Sequence, residues 1–112
     1  MKRVEAATKI GVNYAEYKRL LVDAQLAVEE ARTARYSIVL NRYKLAANWW
    51  KVGNDNSGQI CADYYEPGAL KSQVESLVGP GTKTEAMSLG CRETQAYLNL
   101  AWEQASKELA GL

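Results

Sequence analysis

Neither proline nor glycine occurs between residues 14 and 52, and this limits the fold more than any other feature of the chain. The stretch reads as one helix of about 39 residues, roughly 58 Å long at 1.5 Å per residue. Asn13 is a good N-cap, and Glu16 stands three residues later, where its carboxylate can reach back to the cap. Val12 and Tyr17 have the spacing of a hydrophobic staple across that cap. At the far end Gly53 follows Val52 as the expected stop, and Asn54-Asp55-Asn56-Ser57-Gly58 opposes continuation. A rod of that length in a chain of 112 residues leaves the remainder only enough length to fold back along it.

The apolar positions give the number of partners. Tyr14, Tyr17, Leu21, Ala24, Val28 and Ala31 form a seam that resumes at Ile38, Leu45, Trp49 and Val52, with Arg35 and Arg42 in register with it. Tyr36, Val39, Tyr43, Ala46 and Trp50 form a second stripe beside the first. An arc this wide calls for two or more covering helices. Downstream, residues 53–66 read as a loop, pinned by Ile60, Tyr64 and Tyr65. Pro67 suits the first position of a short helix whose apolar face is Leu70, Val74, Leu77 and Val78, and Gly79-Pro80-Gly81 ends it. Thr82 with Glu85 reads as a capping box for a returning helix that buries Met87, Cys91, Leu98, Ala101, Ala105 and Leu109. The expected architecture is therefore all-α and one domain over residues 1–112: an antiparallel helical bundle. Its parts are a long helix at about 14–52, a loop with a short helix at about 68–78, and a returning helix at about 83–110.

Few kinds of chemistry fit the residues available. With no histidine, the usual general base and the commonest metal ligand are missing, and two cysteines do not make an ordinary zinc set. The glycines stand at helix ends rather than in a phosphate-binding loop. Aligning Gly58 with the invariant glycine of an EF-hand puts Gly53 and Tyr64 where carboxylates are required. Glu29 and Glu30 are sequence neighbours and point apart on a helix. The expectation is a non-enzyme with no cofactor and no bound metal.

Cys61 and Cys91 are expected to pair, which would anchor the long loop and close about 30 residues of chain. A bridge of this kind implies a periplasmic or extracellular protein whose leader has been removed, because Met1-Lys2-Arg3-Val4-Glu5 opens no apolar signal segment; free thiols would imply the cytoplasm. No run of apolar residues is long enough to span a membrane.

Charge divides along the chain. Residues 1–52 carry ten Lys or Arg and five Asp or Glu, a balance of +5, and residues 53–112 carry four and eight, a balance of −4. Pairing of the two halves across the bundle accounts for this, with Arg35 and Arg42 reaching Glu85, Glu93 or Glu103. Alternatively, Arg35, Tyr36, Arg42, Tyr43, Trp49 and Trp50 form a basic and aromatic ligand or partner surface. Ala7, Gly11, Val12, Tyr17 and Leu20 are spaced as in a helix-turn-helix, a resemblance that implies DNA binding. The first helix would be barely two turns long and the net charge is only +1, so nucleic acid is not an expected partner. The leading expectation is an exported structural or protein-interaction module. It should form a homodimer or bind a protein partner through Tyr36, Val39, Leu40, Tyr43, Ala47 and Trp50, which two helices side by side would leave uncovered.

Overall fold

A computed structural model of the chain describes residues 1–31 and 34–111. Its helices are α1 (Lys2–Ile10), α2 (Tyr14–Ala31), α3 (Ala34–Asp55), α4 (Ala69–Val78), α5 (Thr82–Met87) and α6 (Thr94–Ala110). Two short strands, β1 (Gln59–Cys61) and β2 (Cys91–Glu93), form an antiparallel pair, and a 3-10 turn at Ala62–Tyr64 follows β1. The all-α bundle is the observed fold class.

The long helix is two helices. Its start holds the expected cap, with the Glu16 amide donating to Asn13 Oδ1 at 2.8 Å, but the Glu16 carboxylate pairs with Arg19 at 2.5 Å instead of reaching back to the cap. However, α2 and α3 run antiparallel: Tyr17 Oη donates to the Tyr43 carbonyl at 2.7 Å, and the Tyr14 ring lies 5.7 Å from that of Trp50. The longest dimension of the backbone is 39 Å, too short for the expected rod. Arg32 and Thr33, which belong to that stretch, lie outside the described residues. The physical reason for the reversal is burial. A straight rod would leave both stripes in water, whereas the hairpin buries Leu21, Ala24 and Val28 with Val39, Leu40, Tyr43 and Ala47 in one core. Helical propensity favours continuing by only tenths of a kcal/mol per residue, roughly. Packing therefore decides.

The central helix is α3, with α2 along one side and α6 antiparallel along another. Trp49, Ala46, Ile60, Leu70, Val74, Tyr97 and Ala101 make a second core with α4, β1 and α6. Trp50 and Trp102 pack against both cores. The C-terminal boundary of α3 departs from expectation. Gly53 does not stop the helix; it is buried inside it, and a Cβ there would lie 1.9 Å from Thr94 Oγ1. The glycine is needed for close approach, because the first residue of α6 occupies the space a side chain would fill.

The returning helix is likewise broken. α5 ends at Met87, Gly90 takes the left-handed φ of 65°, and Cys91 lies exposed on β2 rather than on an inner helical face. Extended backbone is required there because Cys91 stands directly opposite Cys61 in the strand pair, and the two sulfurs are bonded at 2.04 Å. The expected Thr82–Glu85 capping box does not form. Thr84, buried, donates instead to the Gly79 carbonyl at 2.5 Å. Pro67 lies two residues ahead of α4, whose N-cap is Gly68. Ile60 is buried and Tyr65 half-buried, but Tyr64 is exposed, so the loop is pinned by two of its three expected anchors.

Burial also acts on the tyrosines. Tyr43 Oη makes no hydrogen bond among the described residues. Burial, with a smaller contribution from Glu5, pushes its phenol up to about 12. Tyr17 is raised too, by burial above all. The unfolded chain returns Tyr43 to about 10 and so loses that proton first. Stability is therefore expected in full below pH 10 and to fall as the pH climbs from 10 towards 12. Tyr43→Phe removes an unsatisfied hydroxyl and should raise stability by about 1 kcal/mol at neutral pH. It should also flatten the alkaline decline. Urea melts of both proteins at neutral and alkaline pH check this, and a less stable Phe variant would show that the hydroxyl has a partner.

Candidate functional site

The six residues of the expected basic and aromatic surface do not share one site. Arg35 is exposed near the start of α3, while Tyr43 and Trp49 are fully buried. The Trp49 indole N–H donates to Gln73 Oε1 at 2.7 Å, and its ring lies 5.1 Å from that of Tyr97. Arg42 reaches α6, but its partner is Glu108, with Nε 3.2 Å from Oε1, rather than any of the three acids expected. Gln104 donates to the same carboxylate at 3.0 Å. Tyr36 lines a cleft of about 740 Å³ at one end of the bundle, with Met1, Lys2, Arg3, Val28 and Leu109. Trp50 sits elsewhere, half-buried among Tyr14, Tyr17 and Trp102, with ring centroids 5.4–6.0 Å away. The pocket interpretation fails because one helix turns these side chains towards α2, α4 and α6 in succession.

The expected dimer face is also occupied within the chain. Val39, Leu40, Tyr43 and Ala47 are buried, and Tyr36 and Trp50 are half-buried. Docking of α1 helps close this region: Val4 and Ala7 are buried, and Ser106 Oγ donates to Glu5 Oε2 at 2.8 Å. The helix-turn-helix anchors Ala7, Tyr17 and Leu20 are buried as well. Yet α2, which would be the reading helix, carries Glu16, Asp23, Glu29 and Glu30 against Lys18 and Arg19, a net charge of −2. That sign opposes phosphate.

Exposed large apolar side chains lie on several elements, Ile10, Ile38 and Leu89 among them, and two neighbouring ones lie on the outer side of α2. Val22 is 59% exposed and Leu26 55% exposed, one turn apart. They edge a groove of about 430 Å³ between α2 and α3, floored by Leu21 and Ala47 and rimmed by Lys18, Glu29 and Lys44. Lys44 Nζ bonds Gln25 Oε1, and Gln25 Nε2 donates to Glu29 Oε1 at 3.0 Å, so the rim is a connected polar chain. The sequence held a signal for this face: Val22 and Leu26 are an i,i+4 pair outside the main seam. It was legible only once the seam's own partner was known.

A smaller cleft of about 270 Å³ lies where α1, α3 and α6 meet, walled by Trp50 and Trp102 and edged by Thr8, Asn54 and Gln95. Trp102 Nε1 donates to Tyr17 Oη at 3.0 Å, which holds that wall in place. Among the described residues no three His, Cys, Asp or Glu side chains come close enough together to hold a metal ion. No described helix is long and apolar enough to cross a membrane. The chain is similar to no protein-family model, to no curated protein and to no solved structure.

Proposed function

We propose that this protein is a non-enzymatic interaction module of an oxidising compartment, and that it works through the outer face of α2. The observation that carries this is the pair of neighbouring apolar side chains, Val22 and Leu26, each more than half exposed on a helix otherwise packed into the bundle. The Cys61–Cys91 bond supports an exported protein, since such bonds persist outside the reducing cytosol.

The partner that fits this face is a second copy of the same helix. A two-fold axis near residue 24, with the helices antiparallel, sets Val22 against Leu26 of the other copy. It sets Lys18 against Glu29 and Arg19 against Glu30 on the two flanks, because the second turn of α2 is basic and its last turn acidic. Arg19 already pairs with Glu16 at 2.5 Å and would exchange partners. Exposed pairs of this kind each contribute roughly 0–1 kcal/mol. They specify register and orientation, while affinity comes from the apolar centre. One helix pair is a small interface, so association is expected in the micromolar range.

Sedimentation across that range should show a monomer–dimer equilibrium that weakens with salt. Val22→Glu or Leu26→Glu should abolish it without altering the circular dichroism spectrum. Lys18→Glu should weaken the dimer, and adding Glu29→Lys should restore it. A monomer at every concentration, or a dimer indifferent to all four changes, would overturn the proposal.

A further inference from the structure

We propose that the cleft beside Trp50 and Trp102 binds a small, uncharged ring bearing hydroxyl or amide groups, the chemistry of a neutral monosaccharide. The lining of this cleft holds no Lys, Arg, Asp or Glu, whereas the three other clefts compared with it include Lys18 and Glu29, Lys2 and Arg3, or Lys9 and Glu103. A charged ligand would find no counter-charge in the lining. The two indoles pack edge to face on each other, centroids 6.0 Å apart at 72°, and together give an apolar, polarisable wall that suits the C–H face of a sugar ring. Tyr14 and Tyr17 pack against Trp50, and Tyr17 accepts the Trp102 hydrogen bond, so the wall is set before any ligand arrives.

The polar groups are of the matching kind. Asn54 and Gln95 supply amides, and Gln95 spends one N–H on Asn99 at 2.8 Å, leaving its carbonyl as an acceptor. A purely apolar aromatic ring would desolvate these groups without replacing their hydrogen bonds, which is costly. A volume of about 270 Å³ falls just below the roughly 300–1,000 Å³ of drug-sized sites, and so admits one ring rather than a chain of them. This site lies apart from the Val22–Leu26 face and stands or falls independently of the dimer.

The test is tryptophan fluorescence of the full chain titrated with glucose and with N-acetylglucosamine, alongside glucuronate, glucosamine and indole. A saturable change with a neutral sugar is expected, with a dissociation constant in the roughly millimolar range. Asn54→Ala and Gln95→Ala should each weaken it several-fold while leaving the fold intact, and Trp50→Phe serves where a smaller change to the wall is wanted. Amide and indole resonances of Trp50, Trp102 and Gln95 should shift along the same isotherm. A linear response to both neutral sugars, saturation by indole or a charged sugar alone, or a saturable response untouched by Asn54→Ala and Gln95→Ala would each refute the site.

Discussion

Trp49→Ala should lower the stability of this protein by about 3–5 kcal/mol, the range for truncating a fully buried large aromatic. Trp49 is wholly inside the second core, against Tyr97, and its N–H is matched by Gln73. Truncation leaves a cavity beside Ile60, Val74 and Ala101 and an amide without its donor. At roughly 4 °C or more per kcal/mol for a domain of this size, the melting temperature should fall by on the order of 12–20 °C. Trp50, placed in the core by the stripe pattern, is half-buried, so Trp50→Ala should cost clearly less. Thermal melts of the two variants side by side decide the order. Equal losses would mean that the cleft beside Trp50 is closed and packed.

The second large effect is expected from the cysteines. Replacing both Cys61 and Cys91 by serine should lower stability by about 3–4 kcal/mol through the chain entropy of a 30-residue loop. The bond ties β1 to β2 at the point where the Ala62 amide also donates to the Gly90 carbonyl at 2.9 Å. That short strand pair has no large sheet to support it, so it depends on the cross-link more than the helices do. Guanidinium unfolding should show a lower midpoint and a steeper dependence, because the unfolded chain expands once the cross-link is gone. Alkylation followed by mass determination, on protein never exposed to reductant, checks the bond itself. Two modified thiols would remove it and the inference of an oxidising compartment with it.

Some of this was legible in the linear chain because it is local. The Asn13 cap depends on a side chain three residues from its target. The α4 helix has its apolar residues at helical spacing and glycine at both ends. The cysteine pair was readable because there were only two candidates and one long loop to anchor. The breadth of the apolar arc on α3 correctly required several neighbours, and three helices surround it.

What the tertiary structure alone decided are the reversals. Nothing in residues 29–35 marks a turn: the run holds no proline and no glycine. The chain reverses because folding α2 onto α3 buries two stripes at once, a gain that no local propensity records. Gly53 looked like a helix stop and is a point of close approach, since only the arrival of Thr94 from α6 gives the missing Cβ a meaning. Cys91 looked helical and is extended, because a strand pair with Cys61 overrides the pattern around it. The surface follows the same rule. Residues Tyr36 to Trp50 were legible as apolar, but which apolar residues stay in water depends on which helices cover them. Once α2 and α6 had covered α3, Val22 and Leu26 were left exposed as neighbours on α2, and Ile38, placed in the seam by its spacing, was left exposed on α3 itself. The amino-acid sequence by itself determined where helices can form and how much apolar surface each must bury. The three-dimensional packing decided where they break and which face is left exposed, because burial is a property of pairs of elements rather than of either one alone.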